Sequence, residues 1–152
     1  ELSSEIQPVG VFVNASMELV TGLLNDGTLA AAQLHGQEDE TYIRELKQLS
    51  DKPIIKAFSV KTAEDIEKAV QSPADYILLD QGSGGTGKTF DWSLIPEIER
   101  PFFLAGGIGA LNMKQAICEI RPYAVDLSSS VETEKWKDPK KIRQVVDIVR
   151  RI

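Results

Sequence analysis

Asp80 is the residue whose place in the sequence is best suited to chemistry. It ends the apolar run Tyr76-Ile-Leu-Leu-Asp80, and a loop with four glycines in six residues, Gly82 to Gly87, follows at once. Short runs of bulky apolar residues are typical of buried parallel strands, and functional groups collect in the loops that follow them. A carboxyl group in that place is a candidate proton donor. A carboxylate that only caps the glycine-rich loop is the alternative.

The same loop matches the phosphate-loop pattern of nucleotide hydrolases. Residues 82–89 read Gly-Ser-Gly-Gly-Thr-Gly-Lys-Thr, which fits G-x-x-x-x-G-K-[ST]. The pattern holds phosphates only where a long helix opens at the Lys-Thr pair. Pro96 leaves room for only about two helical turns after Thr89. The sequence therefore favours a glycine-rich active-site loop, with a P-loop nucleotide hydrolase as the weaker alternative.

The composition indicates one soluble domain. The chain has 152 residues, a net charge of −6, one cysteine and one histidine. An acidic balance argues against a nucleic-acid or anionic-membrane surface, and no apolar run reaches the roughly 18 residues that a membrane span requires. A single cysteine excludes an internal disulfide. We therefore expect residues 1–152 to form one cytoplasmic domain with no nucleic-acid and no membrane partner.

Short apolar runs alternate with helical patterns along the chain. The runs begin at positions 9, 31, 53, 76, 102 and 124. A strand and a helix repeated at this spacing predict parallel strands joined by right-handed helical crossovers. A doubly wound open sheet could use six such units, whereas a closed barrel needs eight. The near-constant spacing favours the barrel, as do the polar or glycine residues at the strand ends: Asn14, His35, Ser59, Asp80, Gly106, Gly107 and Ser128 to Ser130.

Capping residues mark the helices between these strands. The predicted N-caps are Ser16, Thr62, Asn112 and Asp138. Pro139 suits the first turn of the last helix. The second helix is expected to carry Glu38 to Glu40 in its first turn, where the helix dipole favours acids. The buried face predicted for the last helix consists of Ile142, Val145, Val146, Val149 and Ile152.

Several motifs at the predicted strand ends together indicate a family. They are Val9 to Asn14, Gln33 to Gly36, Ile55 to Phe58, Leu78 to Asp80, Gly84 to Gly87 with Phe90 to Trp92, Leu104 to Gly107, Val125 to Ser129 with Val131-Glu132, and Lys137-Asp138. In this order and spacing they resemble phosphoribosylanthranilate isomerase of tryptophan biosynthesis. The resemblance covers essentially all 152 residues.

The resemblance implies a TIM (βα)8-barrel of the α/β class with about 200 residues. The present chain is similar to its strands three to eight with their helices, an incomplete barrel. The family's general base, a cysteine ending the first strand, and an arginine after the second strand have no counterpart in this sequence. Cys118 lies inside a helical pattern and is expected to be a small buried apolar residue. We therefore expect a longer natural chain, and no activity from this part alone.

The implied reaction is an Amadori rearrangement catalysed by an intramolecular aldose–ketose isomerase. An acid protonates the ribose ring oxygen of N-(5'-phosphoribosyl)anthranilate, the ring opens, and a base removes a proton from the neighbouring carbon. The product is 1-(2-carboxyphenylamino)-1-deoxyribulose 5-phosphate. Asp80 matches the family's general acid, and partial burial beside Ile77 to Leu79 would have to raise its pKa for this task. No cofactor and no metal is implied.

The resemblance also implies the substrate-binding groups. The phosphate is expected between the loops after the last two strands, at Gly106 and Gly107 and at Ser128, Ser129 and Ser130. The family usually has glycine at position 130, and a positive φ there would strain a serine. His35 is expected to line the substrate pocket, and Asp126 to bond the ribityl hydroxyls. The alternative for Gly106 and Gly107 is a tight turn without a phosphate. The alternative for His35 is a packed or solvated histidine, and for Asp126 it is a carboxylate bonded to neighbouring loops.

Three functions therefore remain open on the sequence. They are the isomerase, a phosphate-binding barrel fragment without catalysis, and the nucleotide hydrolase suggested by Gly82 to Thr89. The first two take a small phosphorylated molecule. Six units alone would leave two strand edges unpaired, so we also expect self-association through these edges.

Overall fold

Six strands form the framework of the molecule and follow one another in the sheet in chain order. The computed structural model describes residue 3, residues 5–81 and residues 91–152, so the glycine-rich loop at 82–90 lies outside the described residues. The strands are β1 Val9–Phe12, β2 Ala31–Leu34, β3 Ile54–Ser59, β4 Tyr76–Asp80, β5 Phe102–Leu104 and β6 Ala124–Val125. Each stands on one of the six predicted apolar runs, which confirms a parallel α/β sheet.

Helices follow most of these strands. They are α1 Met17–Asn25, α2 Glu40–Leu49, α3 Ala63–Val70, α4 Met113–Gln115 and α5 Pro139–Val149. The short α4 continues as a π-helical turn, Ala116–Ile120, which ends at Arg121 with φ 52°. Ser16 and Asp138 cap α1 and α5 through their side chains, as predicted. Because these caps accept backbone N–H groups of the first turn, they fix where each helix begins.

The chain divides into two compact units, Glu1–Ala57 with Gln71–Ile77, and Phe58–Val70 with Leu78–Ile152. In the first unit β2 lies between β1 and β3, in parallel register with both. All four residues of β2 are buried, as expected for a strand covered on both faces. The core of this unit contains Val20, Leu24, Leu34, Ile43, Leu46 and Ile54.

The exposed side of β1 is apolar. Val9 and Val11 are 41% and 62% exposed, and Val13 just beyond the strand is 65% exposed. Phe12 points to the core and is 9% exposed. The first unit therefore presents valines to solvent along a strand that has a single neighbour among the described strands.

In the second unit, backbone hydrogen bonds join the ends of the strands. Ala105 N–H donates to Leu79 O and Asp126 N–H donates to Leu104 O, each at 2.9 Å. The buried residues of this unit include Ile66, Leu78, Leu79, Leu104 and Met113. These contacts hold the C-terminal ends of β4, β5 and β6 beside one another.

Three predictions about the helices are wrong. Glu38 does not lie in the first turn of α2; it is buried, and Asp39 is the N-cap. On α5 only Val145 is buried, whereas Ile142, Val146, Val149 and Ile152 are 38% to 51% exposed because nothing in the described chain covers that face. Cys118 is exposed, since its side chain leaves the π-helical turn on the side away from the buried Ala116.

A small antiparallel hairpin after β6 was not predicted. Its strands are β7 Glu132–Thr133 and β8 Trp136–Lys137, and the two turn residues Glu134 and Lys135 have φ of 53° and 69°. Two-residue hairpin turns require positive φ, which Asn-Gly pairs usually supply. A Glu-Lys turn carries no such signal.

None of the described helices is long and apolar enough to cross a bilayer. Within the described ranges no group of three histidine, cysteine or acidic side chains could hold a metal ion.

The packing of the core in the first unit leads to a prediction about stability. Leu34 in β2 is fully buried, so Leu34→Ala should lower the free energy of unfolding by about 2–5 kcal/mol through lost apolar contact and a residual cavity. Urea unfolding followed by circular dichroism measures this loss. Leu49→Ala removes the same atoms from a side chain that is 54% exposed and is the matched control. Equal losses in the two variants would contradict the packing described for β2.

Candidate active site

Three candidate site residues lie at the ends of adjacent strands in the second unit. Asp80 ends β4, Gly106 follows β5, and Asp126 follows β6. Val60 N–H donates to Asp80 O at 2.8 Å, which fixes the backbone at this strand end. The parallel strands therefore bring the predicted proton donor, the predicted phosphate loop and the predicted ribityl-binding acid to one edge.

Gly106 and Asp80 are in close contact. A Cβ atom added to Gly106 would lie 2.7 Å from Asp80 Oδ1 and 2.8 Å from the backbone nitrogen of Gln81. Gly106 also has φ 82°, a conformation that L side chains rarely adopt. The half-buried Asp80 carboxylate consequently rests against the backbone of the loop that opens toward Gly107.

Asn112 holds the loop that carries Gly107. Its Oδ1 accepts the N–H of Gly109 at 2.8 Å, and its Nδ2 donates to Gly107 O at 3.1 Å. Asn112 stands at the N-cap of α4, as predicted, but its side chain turns back to the loop and makes no capping bond. The loop gains a fixed shape, with Gly107 at φ 69°.

The second predicted phosphate segment forms a 3-10 turn at Ser129–Val131. Ser130 has no positive φ, so the strain expected for a serine at this position is absent. Its Oγ is buried and without a hydrogen-bond partner. Ser130 lines a cavity of about 480 Å³ together with Gly107, Gly109, Asn112 and Lys141. The structure thus brings Gly107 and Ser130 to one cavity, while Ser128 and Ser129 lie exposed beside it.

Two lysines brace this turn: Lys137, from the motif Lys137-Asp138, and Lys141, which the sequence did not indicate. Lys137 Nζ donates to Ser128 O at 3.1 Å and pairs with Glu132 Oε1 at 2.7 Å. Lys141 Nζ donates to Glu132 O at 2.5 Å. The hairpin turn brings Lys137 back to the start of the segment, a contact that the motif did not predict because the hairpin itself was not predicted.

Asp138 joins the same turn to α5. Its N–H donates to Val131 O at 2.8 Å, and its carboxylate accepts from Thr133 Oγ1 at 2.7 Å. The hydrogen bonds from Thr133 and from the N–H of Lys140 hold the pKa of the Asp138 carboxyl below its usual range. The carboxylate is therefore charged at neutral pH and can cap α5 and fix the turn together.

His35 lies in the first unit, at the end of β2. His35 is exposed, and its backbone N–H donates to Phe12 O at 2.8 Å. Nδ1 lies 3.0 Å from Nε2 of the buried Gln33. Because an amide nitrogen can only donate, Nδ1 is the acceptor in this contact.

The residues after the glycine-rich loop bear on the nucleotide alternative. Among the described residues 91–101 the only helical element is the 3-10 turn Trp92–Leu94, which Asp91 caps. A nucleotide phosphate loop needs a long helix there. The pattern itself, Gly82 to Thr89, lies outside the described residues.

The family model of N-(5'-phosphoribosyl)anthranilate (PRA) isomerase matches residues 2–148. The chain belongs to this isomerase family. A PRA isomerase from Endomicrobium trichonymphae is 46% identical over 98% of this chain and 75% of its own length. The crystal structure of the PRA isomerase from Thermotoga maritima shares 36% sequence identity with this chain and has a TM-score of 0.88. The alignment covers 99% of this chain and 76% of the Thermotoga maritima chain. A PRA isomerase structure in complex with reduced 1-(o-carboxyphenylamino)-1-deoxyribulose 5-phosphate shares 35% identity with a TM-score of 0.85, covering 100% of this chain and 75% of that one.

The contact between Gly106 and Asp80 makes a prediction for this member of the PRA isomerase family. Gly106→Ala should destabilise the protein and displace the Asp80 carboxylate, because the left-handed backbone alone costs an alanine about 1–2 kcal/mol and the added methyl meets Oδ1. Gly22→Ala in α1 has no atom within 4 Å and should stabilise the protein by up to about 1 kcal/mol. Urea unfolding of both variants measures the difference, and equal stabilities would contradict the contact.

Proposed function

We propose that this chain supplies the proton donor and the phosphate-binding turn for the isomerisation of N-(5'-phosphoribosyl)anthranilate in tryptophan biosynthesis. The observation that carries the proposal is the contact of Asp80 with Gly106, next to Gly107 and the cavity that Gly107 shares with Ser130. An acid beside a phosphate site suits a reaction on a phosphorylated sugar. The complex of a relative with a reduced carboxyphenylamino-deoxyribulose phosphate supports the same substrate class.

In this proposal Asp80 is the general acid. Its carboxyl proton passes to the ribose ring oxygen, the bond from that oxygen to the anomeric carbon breaks, and the anilino nitrogen forms a double bond to that carbon. A base then removes the proton of the neighbouring carbon, and the resulting enol tautomerises to the ketone. Asp80 is half-buried at the end of β4, so its carboxyl group is partly shielded from solvent where the substrate is proposed to bind.

The phosphate is proposed to bind at the backbone N–H groups of Gly106, Gly107 and Ser128 to Ser130. Asn112, Lys137 and Lys141 support this assignment because they hold the two segments in fixed shapes. Fixed N–H groups lose little conformational freedom when an anion binds. Asp126, at the end of the neighbouring strand β6, is proposed to accept hydrogen bonds from the ribityl hydroxyls. His35 is proposed to line the substrate pocket.

We further propose that the six units are strands three to eight of an eight-stranded barrel that forms one domain in the cytoplasm. The TM-score of 0.88 to a relative of which the chain covers 76% supports this arrangement. In the barrel, the first two units would supply the general base and the arginine that this sequence lacks. Without them the six units would be the phosphate-binding fragment that is the alternative function.

The role of Asp80 makes a kinetic prediction. In the full-length protein Asp80→Asn should lower turnover by about 100-fold or more, because an amide cannot give up a proton to the ring oxygen. Affinity for the reduced product analogue should change little, since the side chain keeps its size. Stopped-flow turnover and isothermal calorimetry measure the two quantities.

Asp147→Asn removes the same charge from an exposed position on α5 and is the control. Unchanged turnover in Asp80→Asn would remove Asp80 from the mechanism. Analogue binding without turnover in the unmodified full-length protein would favour the phosphate-binding alternative.

The valines of β1 make a prediction about association. The 152-residue chain by itself should self-associate with a second copy, because exposed apolar strand edges pair readily. Val11→Lys should shift sedimentation toward the monomer, since a lysine on an edge strand opposes pairing. Leu19→Lys, at a residue of α1 that is 53% exposed, is the control. A monomer at all concentrations, before any substitution, would contradict the proposal.

A further inference from the structure

A buried ion pair in the first unit has no part in the function described so far. Lys56 Nζ lies 3.1 Å from Glu38 Oε2, and the two side chains are 7% and 2% exposed. Lys56 comes from the middle of β3, and Glu38 from the loop between β2 and α2. Charged side chains are seldom buried this deeply unless their remaining hydrogen bonds are also made.

Four further hydrogen bonds of the pair go to backbone at the strand ends. Glu38 Oε1 accepts the N–H of Asn14 at 2.6 Å, and Oε2 accepts the N–H of Gly36 at 2.9 Å. Lys56 Nζ donates to Gly36 O at 2.7 Å and to Leu34 O at 3.3 Å. The pair is thus hydrogen-bonded to the peptide groups on both sides of His35.

Asn14 completes the same network. Its Oδ1 accepts the N–H of Gln37 at 2.7 Å, and a Cβ atom at Gly36 would lie 2.5 Å from that oxygen. Asn14 holds φ 52°, which an asparagine tolerates better than most residues. The loops after β1 and β2 are therefore tied to each other and to β3.

The energetics of the pair favour a geometric role. Burial raises the pKa of Glu38. Hydrogen bonds from its own N–H, from Asn14 and from Lys56 together lower it by more, so the pKa lies below its usual value. The carboxylate is ionised at neutral pH and can accept all of these bonds. Buried ion pairs add little net stability compared with apolar residues of similar size. This ion pair fixes the backbone through hydrogen bonds, which an apolar pair could not make.

We propose that Glu38 and Lys56 are positioning residues that fix the backbone on both sides of His35 and so hold its imidazole ready for substrate. The inference rests on the substrate-binding role proposed for His35. The pair acts on the loop, and the loop presents the ring.

The test uses His35 as its own reporter. It is the only histidine in the chain, so its Hε1 proton gives one resolvable NMR signal. The double variant Glu38→Gln/Lys56→Met removes both charges and keeps the volumes close. We expect a folded protein in which the Gly36 and Asn14 amides exchange at least tenfold faster and the His35 signal broadens or splits. Affinity for the reduced product analogue, measured on the full-length protein, should fall at least tenfold.

The control is Glu40→Gln/Arg44→Met, which removes the same two charge types from a pair that is 62% exposed on both sides. It should leave the His35 signal, the exchange rates and the affinity unchanged. Glu38→Asp serves if the double variant does not fold. It keeps the charge but is shorter by one methylene, so it cannot reach both Asn14 and Gly36 and should disturb the same signals.

A single sharp His35 signal and exchange rates within twofold of the starting protein, in either folded variant, would overturn the inference. The role of His35 itself is checked separately. If the analogue leaves the His35 signal of the unmodified full-length protein in place, the substrate-binding role is wrong. The effect of the pair on the order of the loop still decides the positioning inference.

Discussion

The contact between a carboxylate oxygen and a glycine Cα at neighbouring strand ends determines the candidate active site. Asp80 Oδ1 occupies the space where a side chain at Gly106 would stand. One glycine thereby does two things, since it makes room for the acid and turns the chain toward Gly107 with a left-handed backbone. Asp80 and the loop at Gly106 and Gly107 are consequently not independent features, because moving either would require moving the other.

The loops of both units are held by side chains that are not themselves proposed to touch substrate. Asn112 holds the Gly107 loop, Lys137 and Lys141 hold the serine turn, and the Glu38–Lys56 pair holds the loops after β1 and β2. Loops built in this way keep their backbone donors in place before a ligand arrives. The strands set where each loop starts, and these polar side chains set its shape.

The sequence predicts the regular elements well, because each depends on local patterns. Apolar runs located the six strands, and Ser16 and Asp138 were identified as caps from their types and positions. The same patterns placed Asp80, Gly106 and Gly107 at strand ends, where the structure has them, while their roles stay predictions. The family motifs added His35, Asp126 and the serine turn.

Long-range polar contacts could not be predicted in the same way. Glu38 next to a helix start is typical of a dipole-favoured acid, and only the fold shows that Lys56, 18 residues away, draws it inward. Asn112 matches a cap but bonds backward to the loop. The exposed face of α5 depends on what packs against it, which periodicity cannot specify.

The hairpin at residues 132–137 has a consequence for the stability of the serine turn. Its turn residues, Glu134 and Lys135, both adopt left-handed backbone, and a two-stranded hairpin alone is marginal in water. Lys137 and Asp138 stabilise it through bonds to the serine turn. The hairpin and the serine turn therefore depend on each other for stability, so a substitution that opens the hairpin also frees Ser128 to Ser130 from the contacts that hold them.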